Sequence, residues 1–201
     1  MKKDLKEYLR DMSKIIGEMV DFVYKGLMEN DAHYLDRALN KERILDNLET
    51  DITNDIFKSG KNLDEKERKE MVLIGQTAEN LERMGDELRS LIERIEIKIA
   101  EKLYFSETGI EQYKNVFEKM HKSVQLTVEF LTKDGKGVLD TVERTGEEIK
   151  QMIEKYRVEH MERLTKGICK PRAANMFFDM LDFTGNIARH CTNIARTCKE
   201  Q

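Results

Sequence analysis

The chain has 201 residues, of which 37% are charged, 39% are hydrophobic, one is proline and none is tryptophan. The single proline and the 11 glycines exclude a turn-rich β-sandwich or barrel, because such folds need turn residues about every 8–12 positions. The net charge of −4 argues against a general nucleic-acid binder, which needs a basic surface. No apolar run approaches the roughly 18 residues of a membrane span, and no signal-peptide pattern opens the chain. We therefore expect a soluble, cytoplasmic, helical protein with reduced cysteines.

Apolar residues recur at helical spacing along most of the chain, and the breaks in this pattern predict six long helices. The predicted helices span approximately residues 4–29, 32–59, 63–104, 110–132, 138–164 and 171–198. Gly60 is expected to end the second helix, and Asn62 is an N-cap candidate for the third, with Asp64 and Glu65 in its first turn. Pro171 suits the first turn of the last helix, where its missing N–H is not needed.

The two halves of the chain carry matching landmarks. The segment 81–86, Leu-Glu-Arg-Met-Gly-Asp, stands 100 positions before the segment 181–186, Leu-Asp-Phe-Thr-Gly-Asn. Each places a glycine inside a predicted helix, where glycine costs about 1 kcal/mol relative to alanine. We interpret the match as a duplicated three-helix unit. The expected fold class is all-α, with two tandem three-helix bundles related by internal pseudo-symmetry at residues 1–104 and 105–201.

Acidic pairs at a spacing of four residues recur in both halves and point both side chains to one helix face. Glu42 and Asp46 form such a pair in the second helix, and Glu143 and Glu147 follow 101 positions later in the fifth. Since 39 of the 201 residues are acidic, chance produces several such pairs, and a single one is most simply a solvated helix face. Only the recurrence at matching places favours a site. Oxygen donors of this kind suit Mg²⁺, Mn²⁺ or iron.

The segment 79–86, Glu-Asn-Leu-Glu-Arg-Met-Gly-Asp, resembles the helix signature of the PhoU family, which reads roughly acid-x-Leu-Glu-Arg-Ile-Gly-Asp. The segment 181–195 is similar to the family's second copy, including its Asn-Ile-Ala tail. The resemblance covers residues from about 8 to 198 and implies a six-helix protein made of two three-helix repeats. It also implies a regulator of phosphate uptake and signalling, not an enzyme, that acts on a phosphate transporter or a sensor histidine kinase and binds metal clusters.

The resemblance implies two metal sites when the family's motif is carried over residue by residue. The first comprises Glu42, Asp46, Glu82 and Asp86, with Glu49 and Glu79 as accessory ligands. The second comprises Glu143, Glu147, Asp182, Asn186 and His190. The second site lacks one carboxylate, so we expect magnesium, manganese or iron at the first site, and zinc or nickel, which accept imidazole, at the second. The simpler alternative for the imidazole is a buried, hydrogen-bonded histidine.

Two other interpretations were weighed. A ferritin-like di-iron enzyme needs a Glu-x-x-His motif on each of two helices, and Glu118 with His121 is the only such motif, which argues against it. The alternative that stays open is a purely structural helical tether without metal, such as the PhoU-like cytoplasmic tail of a sodium/phosphate cotransporter. Peripheral association with a membrane complex and a homodimer are further expectations.

Overall fold

The computed structural model describes residues 4–59, 63–133 and 135–199. These residues form six long α-helices, a short 3-10 turn at Lys136–Val138 and no strand, which confirms the predicted all-α fold class. The helices are α1 (Leu5–Glu29), α2 (Ala32–Ser59), α3 (Glu65–Ala100), α4 (Glu107–Lys133), α5 (Leu139–Thr165) and α6 (Pro171–Lys199). None of the helices in the described ranges has an apolar stretch long enough to cross a membrane.

Each half of the chain is a bundle of three antiparallel helices, and the two halves pack against each other. The packing between halves joins α1 to α4 and α3 to α6. Tyr24 of α1 donates a hydrogen bond of 3.1 Å to Glu118 of α4, and Arg94 of α3 pairs with Asp179 of α6 at 2.9 Å. One apolar core runs through both halves. The division of the chain at residues 104 and 105 stays a prediction.

The first helix illustrates how the apolar spacing builds this core. Met12, Ile16, Met19, Val20 and Val23 recur with the helical period along one face of α1, and all five are fully buried. Burial of an aliphatic side chain of this size contributes about 1.5–3 kcal/mol relative to full exposure. The stripe therefore places α1 in the centre of the bundle, against α2, α3 and α4.

The two glycines inside the predicted helices mark close helix contacts. A Cβ atom at Gly85 would lie 2.5 Å from Leu45 Cδ2, and one at Gly185 would lie 2.8 Å from Ile153 Cδ1. Real Cβ atoms do not come that close to a neighbour, so α2 approaches α3, and α5 approaches α6, at positions without a side chain.

The predicted end of the third helix at Tyr104 is wrong, because α3 ends at Ala100. Lys102 adopts a left-handed backbone conformation with φ of 50°, and its N–H donates to the carbonyl of Ile99 at 3.3 Å. The next N–H, from Leu103, donates to the carbonyl of Lys98 at 3.0 Å. These two bonds close the helix as a Schellman motif, in which a lysine occupies the usual glycine position.

The predicted starts of two helices also needed correction. The segment 105–109 is not a loop throughout, because α4 begins at Glu107, and the Ser106 hydroxyl accepts a hydrogen bond from the Gly109 N–H at 3.2 Å. Asp64 is the N-cap of α3 and forms a reciprocal capping box with Glu67, both bonds being 2.8 Å. The roles predicted for Gly60 and Asn62 lie outside the described residues.

Candidate metal site between α2 and α3

Five carboxylates line the contact between α2 and α3, and we call them the acidic cluster: Glu42, Asp46, Glu49, Glu82 and Asp86. Spacings of three or four residues put the acids of each helix on one face. The close approach of the two helices at Gly85 then brings both faces together. The four residues of the first predicted site are thus neighbours that interact electrostatically.

Arg89 lies within the acidic cluster and was not identified from the sequence. Its two terminal nitrogens, Nη1 and Nη2, bind Glu42 Oε1 and Asp86 Oδ1, each at 2.7 Å. Glu42 is only 6% exposed, so its carboxylate requires a partner of this kind. The sequence signal was the spacing, since Arg89 follows Asp86 by three residues on the same face of α3. Arg89 therefore pairs directly with two of the five carboxylates, and Arg43 of α2 adds a further attraction to Glu42.

The surplus of carboxylates perturbs the acids of the cluster. Burial, the charge of Asp86 and a hydrogen bond to it, and two carboxylates of α2 raise the pKa of Glu82 to about 7. Burial and the charge of Asp46 also raise the pKa of Glu42, against the attraction of Arg89. Glu82 therefore keeps its proton to a much higher pH than an ordinary glutamate, because the carboxylates around it outnumber the cations.

Replacement of Glu82 by Gln is expected to stabilise the protein in alkaline solution. The pKa of Glu82 is raised above its ordinary value of 4.5, so ionisation disfavours the native state fully above about pH 7, and this effect vanishes below pH 4.5. At a partly solvated site the gain is on the order of 1 kcal/mol. Urea unfolding of both proteins at about pH 8 and pH 4 measures it.

The matched control is Glu79→Gln, one turn away on α3. Glu79 pairs with Arg83 at 2.6 Å, on a half-exposed surface, and does not join the acidic cluster. Removal of this charge should leave the pH dependence of stability unchanged. Equal stability changes for Glu82→Gln at both pH values would contradict the raised pKa.

The donor chemistry of the acidic cluster fits a hard cation. Carboxylate oxygens are the ligands that Mg²⁺ and Mn²⁺ prefer, and iron also accepts them. Within the described ranges, however, no three His, Cys, Asp or Glu side chains converge as ligands of one ion. Arg89 holds two of the carboxylates at 2.7 Å. A bound cation would take over the charge compensation that Arg89 provides in this structure.

The carboxylates of the second predicted site line one groove, but within the described residues they do not converge on a common ion position. Glu143 pairs with Lys199 near the end of α6 at 2.8 Å, whereas Asp182 pairs with Arg157 nearer the beginning of α6. Glu147 lies on α5 one turn after Glu143 and lines the groove between α5 and α6. Each of the two paired acids already has a cation of the protein as its partner.

The other two residues of the second predicted site face the first half of the molecule. Asn186 Nδ2 donates to Glu87 Oε1 of α3 at 3.1 Å, and His190 Nδ1 bonds the amide oxygen of Asn80 at 3.0 Å. His190 is 3% exposed, and burial, with nearby arginines, lowers the pKa of its imidazole to about 4. It is the buried, hydrogen-bonded histidine of the simpler interpretation. Four residues of this set therefore line the groove between α5 and α6, whereas His190 does not line it and bonds Asn80 instead.

A register difference between the halves explains the failed match. Gly185 meets Ile153 where Gly85 meets Leu45, so the structural counterpart of Leu45 is Ile153 and not Gly146, as the alignment of acidic pairs implied. The alignment was displaced by seven residues, or two helical turns. The acidic pair of α5 therefore lies on the expected face but about 10 Å too far along the axis.

At the level of the acidic cluster, the second half carries a different set of charges. The corresponding positions hold Lys150, Glu154 and Arg157 on α5, and Asp182, Asn186 and Arg189 on α6. These residues line a groove of about 480 Å³ between the two helices. Three cations and two carboxylates replace five carboxylates and one arginine. Since Glu143, Glu147 and Arg196 also line this groove, four cations balance four carboxylates there, and the groove has no surplus of negative charge to attract a metal ion.

Comparison with known sequences agrees with the motif of α3. Residues 9–95 match the sequence model of the family described as PhoU domain. Residues 9–95 are thus similar to a PhoU domain. The resemblance inferred from the segment 79–86 is confirmed, and the acidic cluster lies wholly within the matched residues. No curated protein sequence matches the chain at a significant level.

Solved structures share the fold over nearly the whole chain, including the half that follows the matched residues. The crystal structure of PhoU from Pseudomonas aeruginosa has a TM-score of 0.87 at 16% identity, over 96% of this chain and 93% of that chain. The phosphate transport system regulatory protein PhoU from Streptococcus pneumoniae has a TM-score of 0.83 at 13% identity, over 96% and 90% of the two chains. A PhoU-like protein from Shewanella oneidensis has a TM-score of 0.66 at 10% identity, over 100% and 96%. At these identities the likeness establishes the fold.

Proposed function

We propose that this protein regulates phosphate transport and that its acidic cluster binds a metal ion. The similarity to a PhoU domain and the likeness to a phosphate transport system regulatory protein support the regulatory role. The observation that carries the metal proposal is the charge imbalance between α2 and α3, where Arg89 pairs with two of the five carboxylates and the pKa of Glu82 rises to about 7. A divalent or trivalent cation would remove that imbalance.

The proposal is confined to the first predicted site. Magnesium, manganese and iron suit its all-carboxylate donors, whereas zinc and nickel were expected where His190 could bind. Because His190 bonds Asn80, and Glu143 and Asp182 each pair with a cation of the protein, we propose no metal for the second set. Cation binding at the first site should release the proton of Glu82, so affinity should fall as the pH drops below about 7.

A change of charge at the acidic cluster gives the protein a means of control without catalysis. With a cation bound, the face formed by α2 and α3 would lose most of its negative potential, and its complementarity to a charged partner would change. We propose a phosphate transporter or a sensor histidine kinase on the cytoplasmic side of a membrane as this partner. The competing function is a helical tether that binds no metal and has the same surface under all conditions.

Metal titration of chelator-stripped protein tests the proposal. Addition of Mn²⁺ or Mg²⁺ at about one hundred times the dissociation constant should raise the melting temperature by roughly 5–10 °C through linkage. Asp86→Asn should lower the affinity at least tenfold, because it removes a full charge beside the cation. Isothermal calorimetry and differential scanning fluorimetry, repeated with Fe²⁺, Zn²⁺ and Ni²⁺, give the affinities.

Two controls make the result specific. Glu93→Gln removes a charge from an exposed position on α3, two turns beyond Asp86, and should leave the affinity unchanged. Glu82→Gln should abolish the loss of affinity below about pH 7. If no metal shifts the melting temperature of the unaltered protein, the tether is the better account of the fold.

A further inference from the structure

Two connections meet at one end of the bundle, and we call this end the 101–106/166–170 tip. The first connection joins α3 to α4, and the second joins α5 to α6. An ion pair between Glu101 and Arg172, at the start of α6, links the two connections. Residues of both connections line a shared cavity of about 360 Å³. Gly167, with φ of 70°, lets the second connection leave α5 through a Schellman motif, in which Ile168 N–H donates to the carbonyl of Arg163 at 3.0 Å. The tip is therefore an ordered surface.

The tip presents large apolar side chains to solvent. Tyr104 is 82% exposed and Ile168 is 60% exposed, one from each connection. The exposure continues onto the adjacent faces of α4 and α5, where Ile110, Val158 and Met161 are each about half exposed or more. Five of the eight large hydrophobic residues that are exposed in the described ranges thus lie at or beside this tip. Concentrated apolar exposure of this kind marks a surface that another phase or molecule covers.

The charges of the tip are mainly positive. Lys102, Lys166 and Lys170 are exposed, and none of the three forms an ion pair within the described part of the chain. The carboxylate of Glu101 is neutralised by its pairing with an arginine. Four carboxylates outside the tip lie near the same end of the bundle: Glu107 and Glu162, in the first turn of α4 and the last turn of α5, and the exposed Glu29 and Asp31 where α1 connects to α2. The lysines alternate along the two connections with the most exposed apolar residues.

We propose that the 101–106/166–170 tip binds the surface of a membrane that contains anionic phospholipids. A tyrosine and an aliphatic side chain flanked by lysines match the interfacial region of a bilayer, where apolar groups enter the acyl boundary and ammonium groups meet lipid phosphates. Each lysine near an anionic surface contributes about 1 kcal/mol of attraction, and salt weakens it. This inference rests on the exposed tip alone and holds whether or not the acidic cluster binds metal.

The absence of tryptophan from the chain permits a direct test. In Tyr104→Trp, vesicles of equal parts phosphatidylcholine and phosphatidylglycerol should shift the fluorescence to shorter wavelength, and lipids brominated in the acyl chains should quench it. Vesicles of phosphatidylcholine alone should give a much smaller change. The matched control is Phe57→Trp, because Phe57 is 86% exposed near the end of α2, at the opposite end of the bundle, and should show neither effect.

Charge reversal tests the role of the lysines. The triple change Lys102→Glu, Lys166→Glu and Lys170→Glu in the Tyr104→Trp background should weaken binding to the anionic vesicles about a hundredfold or more. Equal responses of Tyr104→Trp and Phe57→Trp, or equal binding to neutral and anionic vesicles, would overturn the proposal. A fluorescence shift that grows with protein concentration in the absence of vesicles would overturn it too, because it would identify a second copy of the chain as the occupant of the tip.

Discussion

Acidification from about pH 7 to pH 4 is expected to destabilise the native state by roughly 3–6 kcal/mol, since two buried histidines resist protonation. His160 is 1% exposed and His190 is 3% exposed, and the pKa of each is lowered to about 4. His160 stacks on Phe177 at 4.3 Å and accepts a hydrogen bond from Arg163, and its Nε2 has no partner in the described structure. In both cases burial is the main cause, and nearby arginines add to it.

The sign follows from linkage between protonation and folding. The unfolded chain takes up these two protons near pH 6.5, whereas the native state takes them up only near pH 4. The stability contributed by the neutral histidines is therefore complete above pH 6.5 and is lost as the pH falls through that window. The raised pKa of Glu82 works in the opposite direction between pH 7 and 4.5, but on the order of 1 kcal/mol does not offset two buried imidazoles.

A single substitution isolates one of the two histidines. His190→Gln retains a side-chain donor for Asn80 and does not titrate, so it should remove about half of the stability loss between pH 6.5 and pH 4. Urea unfolding in buffer that contains a chelator measures the loss at intervals across this range. The control His33→Gln removes an exposed histidine near the start of α2 and should keep the full loss. An unchanged pH dependence in His190→Gln would show that its burial does not control its protonation.

Phe117→Ala is expected to lower the stability of the whole bundle by about 3–5 kcal/mol, which corresponds to a fall in melting temperature of roughly 6–20 °C. Phe117 of α4 is fully buried, with its ring centroid 5.4 Å from that of Tyr24 on α1 and 6.1 Å from that of Tyr113. The side chain thus fills the interface between the two halves, and its removal leaves a cavity there. Circular dichroism during thermal and urea unfolding gives the change.

Phe57→Ala supplies the comparison, since the same atoms are removed from a side chain that is 86% exposed. Its stability should stay within about 0.5 kcal/mol of the unaltered protein. Because α1 packs on α4 and α3 on α6, Phe117→Ala should still unfold in one transition. Two separate transitions, with only one of them shifted by Phe117→Ala, would indicate that the halves at residues 1–104 and 105–201 are independent folding units.

The helices were predictable because each depends on local chemistry. Apolar residues such as Met12 and Ile16 recur with the helical period, and their burial is a direct consequence of that spacing. The ends of the helices were harder to predict, because a helix cap depends on backbone geometry that several neighbouring residues could adopt. Asp64, which was expected in the first turn of α3, is its N-cap, and Lys102 takes the left-handed position that ends it.

The first candidate site was predictable for a related reason. Glu42, Asp46, Glu82 and Asp86 lie on faces set by a spacing of four residues, and Gly85 marks where those faces come close. The partner Arg89 was not predicted, because the sequence does not show which charged residues of neighbouring helices lie at the same axial position. The packing between the helices sets that position.

By itself, the amino-acid sequence determined that this chain forms six amphipathic helices and that α2 and α3 bear acidic faces, because both follow from residue spacing along one helix. The tertiary structure alone decided that Ile153 and not Gly146 lies opposite Gly185, and that Lys150 and Arg157 accompany Asp182. The physical reason is that a displacement of seven residues returns a helix to nearly the same face. Periodicity therefore defines the face of a helix but not its axial register, which only the packing of side chains between helices sets.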